Sequence, residues 1–158
     1  MIRPARPADA AALARVQLRS WHRAYADIVD PELLAEHTVA SREERWRELL
    51  GDGPDSGKER ATLVFEQDGQ LAGFASLREA EVAAIYVDPP AQGAGVGTAL
   101  LAAAEQALRA AGCADAFLWV LSENELARAF YEARGWRPEP GSETDDLWGR
   151  ELRYRKRL

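Results

Sequence analysis

The sequence predicts an α/β domain built on a mixed central sheet. Three observations carry this. Asp68-Gly69 joins two strand-like runs, and Asp-Gly is a strong short hairpin signal because both residues tolerate positive φ. A third strand-like run, residues 82–87, ends at Asp88-Pro89-Pro90 and leads into Gln92-Gly93-Ala94-Gly95-Val96-Gly97, which opens an apolar helical stretch. Beyond it, helical segments are stopped by Gly112 and Gly135 with a strand between them, so the second half alternates strand and helix.

Taken in order, residues 2–5 read as a short first strand. Pro7-Ala8-Asp9 opens a helix running to about residue 25, with Leu13, Val16, Ser20 and Ala24 on its inner face. Residues 31–50 read as a second helical region in two pieces, and Ser41 with Glu44 has capping-box spacing. The run 51–57 is the clearest loop. Strands at 61–67 and 70–77 form the hairpin, and 82–87 extends the antiparallel meander. The helix after the glycine turn reaches about residue 111. A fifth strand at 116–121 is joined to the fourth by that helix and is therefore expected to run parallel to it. A helix at 125–134 follows, and 136–137 with 147–158 forms a terminal hairpin around the polar loop 141–146.

Composition bounds the function. The 158 residues suit one domain spanning the whole chain, and 47% hydrophobic content fits a globular protein better than a disordered or membrane one. No apolar run is long enough to span a bilayer, and residues 1–7 carry no secretory-type apolar segment, so a cytoplasmic protein is expected. The single cysteine, Cys113, excludes an internal disulfide, and two separated histidines give no metal-ligand spacing, so no metal is expected. A net charge of −6 argues against nucleic acid as the partner.

The glycine turn carries the chemistry. A strand, a tight glycine turn and a helix N-terminus make an anion site, because the first helical N–H groups are unpaired and the helix dipole favours negative charge there. A phosphate-bearing cofactor is expected at this turn.

Two motifs in this order resemble the GCN5-related N-acetyltransferase (GNAT) superfamily. One is the Arg/Gln-x-x-Gly-x-Gly/Ala turn, here residues 92–97. The other is the Asn-x-x-Ala-x-x-Phe-Tyr-x-x-x-Gly-Phe/Trp pattern, here Asn124, Ala127, Phe130, Tyr131, Gly135 and Trp136. The resemblance spans nearly the whole chain. It implies the GNAT fold: a mixed central sheet of about six to seven strands flanked by about four helices, splayed between the fourth and fifth strands.

The resemblance also implies the site. Gln92, Gly93, Ala94, Gly95, Val96, Gly97 and Thr98 would hold the pyrophosphate of coenzyme A, mostly by main-chain N–H groups, with glycine at 95 and 97 leaving room for it. Ile85, Tyr86 and Val87 would pair with the pantetheine arm, and an N–H at or beside Val87 would face the thioester oxygen. Asn124 would contact the cofactor, and it also suits a helix N-cap. Tyr131 would protonate the leaving thiolate; an aromatic packing role is the plainer alternative. Glu81 matches a position where many family members carry a glutamate acting as base through water; a solvated strand-end carboxylate is the plainer alternative. The acceptor site would draw on Trp21 and Tyr25, one helical turn apart, which otherwise read as core aromatics. Asp27, Asp30 and Glu32 would add acidic character. His22 and His37 read as surface or capping residues. Arg153, Arg155 and Arg157 read as the polar face of the last strand.

The function so implied is acetyl transfer from acetyl-CoA directly to a primary amine, on a small molecule or a peptide or protein, in a ternary complex. No activated cysteine is present to carry an acetyl group. The alternative is a non-catalytic acyl-CoA-binding sensor or interaction module, against which the joint presence of Asn124 and Tyr131 speaks. Acetylation of aminoacyl-tRNA is a narrower third reading, made less attractive by the acidic charge. Homodimers are common in the superfamily, often through the C-terminal strands.

Overall fold

A computed structural model describes residues 1–51 and 60–158. Most of the loop expected at 51–57 therefore lies outside the described residues. Strand β1 (Ile2–Pro4) and a single 3-10 turn (Pro7–Asp9) lead into α1 (Ala10–Tyr25). Helices α2 (Pro31–Ala35) and α3 (Val39–Leu50) are the two pieces expected of the second helical region. Then come β2 (Arg60–Gln67), β3 (Gln70–Arg78) and β4 (Glu81–Val87). After a 3-10 turn at Pro89–Ala91 the chain forms α4 (Val96–Ala110), β5 (Asp115–Leu121) and α5 (Glu125–Glu132). Short strands β6 (Arg137–Pro138) and β7 (Thr144–Asp146) precede the long β8 (Gly149–Arg157).

The sheet has eight strands in the order β1-β2-β3-β4-β5-β8-β6, with β7 paired to β8 off that path. All pairs are antiparallel except β4 with β5, which is parallel as expected. That pair has one register point, Glu81 opposite Phe117, beyond which the two strands part. A bulge helps to separate them. Leu77 pairs with Val82 but Ser76 pairs with Ala84, so Ala83 is an extra residue that bends β4. The splay expected between the fourth and fifth strands is thus present. The extra strand relative to six or seven comes from β7, whose residues were read as loop.

Two apolar layers cover the sheet. On one face α4 sets Val96, Leu100, Leu101, Ala104 and Leu108 against Leu118, Val120, Leu152 and Tyr154. On the other, α1 and α3 pack Leu13, Ala14, Val16 and Trp46 against Val64 and Phe74. Gln17 fastens α1 to α3, its Oε1 accepting from Trp46 Nε1 and Arg42 Nε, each at 3.0 Å. Buried Glu105 accepts from Trp136 Nε1 at 3.0 Å and from Lys156 Nζ at 2.9 Å, tying α4 to both ends of the terminal hairpin.

Three local expectations are corrected. The cap of α3 is Thr38, not Ser41: Thr38 Oγ1 accepts from the Ser41 N–H at 3.1 Å while Ser41 Oγ accepts from the Thr38 N–H at 3.0 Å. A serine three residues in replaces the glutamate of the usual box. Ala24 is exposed, whereas Leu13, Val16, Gln17, Ser20 and Trp21 are buried. The helix leaves the sheet before its last turn. The loop 141–146 folds back as β7, with Thr144 opposite Glu151 and Asp146 opposite Gly149.

Candidate active site

The parting of β4 and β5 opens a cavity of about 1430 Å³ that passes through the sheet. One mouth is formed by the glycine turn, α5 and Arg134; the other by Tyr25, Trp148 and a group of carboxylates.

At the first mouth, Gly93 has φ +80° and Gly95 has φ +85°, and an added Cβ at either would meet only open space. The requirement for glycine is therefore conformational. Gly95 is the N-cap of α4, and the first helical hydrogen bond runs from the Ala99 N–H to the Gly95 oxygen, so the N–H groups of Val96, Gly97 and Thr98 precede the ladder. The Val96 side chain belongs to the core, leaving only its main chain for a ligand. Gly97 has an ordinary helical conformation, and a Cβ there would lie 3.4 Å from the Phe130 ring and 3.6 Å from Val87. Ala94 is exposed on the turn.

Sequence reading missed Arg134. Its guanidinium lies 3.8 Å over the Phe130 ring and donates to Thr98 Oγ1 at 2.7 Å, placing a fixed positive charge beside the helix N-terminus. Asn124 Oδ1 accepts from the Ala127 N–H at 3.2 Å, so the N-cap role is real, and the residue also lines the cavity.

The β4 edge faces the opening. The Asp88 N–H donates to the Ala72 oxygen, and antiparallel ladders alternate, so the Ile85 and Val87 main-chain groups point away from β3 into the splay. The Val87 oxygen accepts from Ser20 Oγ at 3.0 Å and Gln92 Nε2 at 3.1 Å, which fixes the peptide and ties Gln92 to this strand end. The Tyr86 side chain lies on the α1 face, with its hydroxyl 3.3 Å from that of Tyr25.

Tyr131 lines the same cavity on α5, edge-on to Phe130 with ring centroids 5.2 Å apart. Burial, reinforced by nearby Tyr86, pushes its phenol well above the ordinary tyrosine range, so it stays protonated at neutral pH. Burial likewise keeps Tyr25 and Tyr86 neutral. A neutral phenol can donate a proton.

At the second mouth, Glu81 is held by Arg78, whose Nη2 lies 2.8 Å and Nε 3.3 Å from its Oε2. Tyr25 lines the cavity, but Trp21 does not; it is buried behind the wall, edge-on to Trp148, Tyr86 and His37. His37 is half-buried and packs on that wall. Asp27, Asp30 and Glu32 are exposed and outside the cavity lining, with Asp30 capping α2. The acidic character comes instead from Glu79, Glu81, Asp146 and Glu151. Trp148 was also missed: Asp146 Oδ1 accepts from the Trp148 N–H at 2.7 Å and turns the chain so that the indole reaches α1. Arg153 and Arg155 pair with Glu139, and Arg153 lies over the Trp119 ring. Cys113 does not line the cavity.

The family model for "Acetyltransferase (GNAT) family" matches residues 17–136. The aminoglycoside N(6')-acetyltransferase type 1 of Stenotrophomonas maltophilia is 33% identical over 148 residues, covering 85% of this chain and 84% of that protein. The uncharacterized N-acetyltransferase YuaI of Bacillus subtilis is 28% identical over 134 residues, covering 84% of this chain and 77% of the relative. Among solved structures, the PaiA N-acetyltransferase of Thermoplasma acidophilum in complex with coenzyme A superposes with a TM-score of 0.81 at 22% identity, covering 100% of this chain and 98% of that one.

Proposed function

The chain belongs to the acetyltransferase (GNAT) family, and from that premise we propose that it transfers acetyl from acetyl-CoA directly to a primary amine. The observation that carries this reading is the single cavity through the β4–β5 splay. It joins the N–H groups that precede the hydrogen-bond ladder of α4 to a neutral phenol and a mouth lined by carboxylates and aromatic rings.

Gly93, Gly95, Gly97 and Thr98 with Arg134 would hold the pyrophosphate, and the Ile85 and Val87 main chain would pair with the pantetheine arm. The Thermoplasma structure, solved with coenzyme A, supports that choice of cofactor. The Val87 N–H, directed into the splay, would stabilise the oxyanion as the amine attacks. Tyr131 would hand its proton to the departing thiolate. Cys113 stands outside the cavity, which supports direct transfer over a route through an acetylated cysteine. A small cationic amine suits the acceptor mouth, which is acidic and aromatic-walled; the similarity to an aminoglycoside acetyltransferase points the same way.

The test is thiol release from acetyl-CoA across polyamines, aminoglycosides, amino acids and peptide N-termini. Release that depends on one amine class supports the reading. Tight acetyl-CoA binding with no release across the panel contradicts it.

A further inference from the structure

We propose that Glu151 takes the proton from the incoming amine, in place of Glu81. This rests on the acetyltransferase reading of the same cavity, and it assigns the reaction a base that the sequence motifs do not mark.

Position comes first. Glu151 pairs with Leu121 of β5 and with Thr144 of β7. Its neighbours Leu152 and Tyr154 are alternately placed, and Leu152 is buried beneath α4. The two-residue period of a strand therefore sends Glu151 to the opposite face, where Tyr25 and Trp148 stand, and there it lines the cavity. Glu81 reaches the same mouth from β4, but Arg78 occupies its Oε2. Among the described residues no hydrogen bond or ion pair engages the Glu151 carboxylate.

Charge comes second. Burial, and then the negative charges of Asp146 and Glu81, raise the Glu151 carboxyl above its ordinary value. The other charged groups at this mouth are Arg78 and Glu79 at the β3–β4 turn and Arg23 on α1. Tyr25 and Tyr86 are neutral, and Trp119 and Trp148 carry no charge. A carboxylate whose proton affinity is raised is a better general base than an ordinary one, and among the described residues no arginine occupies the Glu151 oxygens.

An ammonium R–NH3+ loses one proton to the Glu151 carboxylate, freeing the nitrogen lone pair. That pair forms the C–N bond at the thioester carbon, giving an oxyanion and a protonated nitrogen. Collapse restores the C=O bond and breaks the C–S bond, and the thiolate takes the Tyr131 proton. The surplus proton on the amide nitrogen leaves to solvent, and Tyr131 is reprotonated from solvent. The net products are the acetamide, free coenzyme A and one proton, which Glu151 finally releases.

The experiment compares the pH dependence of kcat/KM for wild type, E81Q, E151Q and Glu151→Asp, using the best acceptor from the amine panel. Acetyl-CoA affinity measured by calorimetry reports that each variant is folded. E151Q is expected to lose the acid-side ionisation and about 100-fold in kcat, Glu151→Asp to restore the ionisation, and E81Q to keep it, moved to lower pH by loss of the Glu81 charge. An acid limb unchanged in E151Q, or abolished in E81Q, overturns it. A wild type that binds acetyl-CoA yet acetylates no amine overturns the acetyltransferase reading itself, an outcome visible before any variant is made.

Discussion

The indole of Trp148 stands edge-on to that of Trp21, with ring centroids 4.9 Å apart and planes at 79°. The contact fastens the turn between β7 and β8 to the C-terminal part of α1, behind the second mouth of the cavity. Trp148 also meets Tyr25 at 5.6 Å and His37 at 5.7 Å. Replacing Trp148 with alanine should destabilise the fold by about 2 kcal/mol, since each edge-on aromatic pair is worth roughly 0.5–1.5 kcal/mol beyond its buried area. Acceptor KM should rise while acetyl-CoA affinity holds, and Trp148→Phe should recover most of both. Urea unfolding and steady-state kinetics check the two halves separately.

Gly95→Ala forces a Cβ onto a residue at φ +85°. The left-handed conformation costs a non-glycine residue about 1–2 kcal/mol. If the turn relaxes, the first N–H groups of α4 lose their aim. A charge-assisted hydrogen bond contributes about 1.5–3 kcal/mol, so acetyl-CoA should bind about tenfold weaker or worse. Calorimetry reads this directly. An unchanged affinity would show that the cofactor phosphates lie elsewhere.

Glu105 is the joint between α4, Trp136 and Lys156. Glu105→Ala would strand the buried indole N–H and leave the Lys156 ammonium with the Arg134 main-chain oxygen but no carboxylate. Breaking one partner of a buried ion pair costs about 3–5 kcal/mol, and the partial exposure of Lys156 places this case near the lower figure. The urea midpoint should fall accordingly, with a smaller fall for Glu105→Gln, which keeps an acceptor for Trp136.

Glu151 also predicts a pH-dependent stability effect. Its carboxyl is raised in the folded state, so relative to the unfolded chain the fold is favoured by protonated Glu151. That contribution is full below the ordinary value of 4.5 and is lost as pH rises through the folded-state value. Above it the charged carboxylate is a net penalty. E151Q should therefore melt higher than wild type at pH 8 and show little or no gain at pH 4. A thermal melt series across pH tests the sign.

Much of the fold was legible because its strongest signals are local. Asp68-Gly69 sits in the hairpin with φ +52° and +74°, and Gly112 and Gly135 end helices at φ +88° and +87°. The parallel β4–β5 pair followed from the connecting helix. What escaped the sequence depends on distant partners. Thr144, Asp145 and Asp146 are exposed and lack the alternation that marks a strand, so β7 exists only because β8 offers it an edge. Trp148 looked like a residue after a polar loop until Asp146 turned it onto α1. Glu151 carried no motif, since its surroundings come from β4, β7 and β8, and its chemistry depends on which face the strand presents. Around the glycine turn, the contiguous residues were readable as a strand-turn-helix unit, whereas Arg134 comes from beyond α5; at the second mouth Tyr25 and Glu81 were singled out, whereas Trp148 and Glu151 depend on how β7 and β8 fold back.

The most direct test of the account is single-turnover acetyl transfer by wild type and Tyr131→Phe, with acetyl-CoA saturating. General acid catalysis contributes about 100- to 10,000-fold, so the variant should bind acetyl-CoA as the wild type does and lose at least about 100-fold in rate. A Tyr131→Phe protein that binds the cofactor and turns over at the wild-type rate would contradict the assignment of Tyr131 as proton donor to the leaving thiolate.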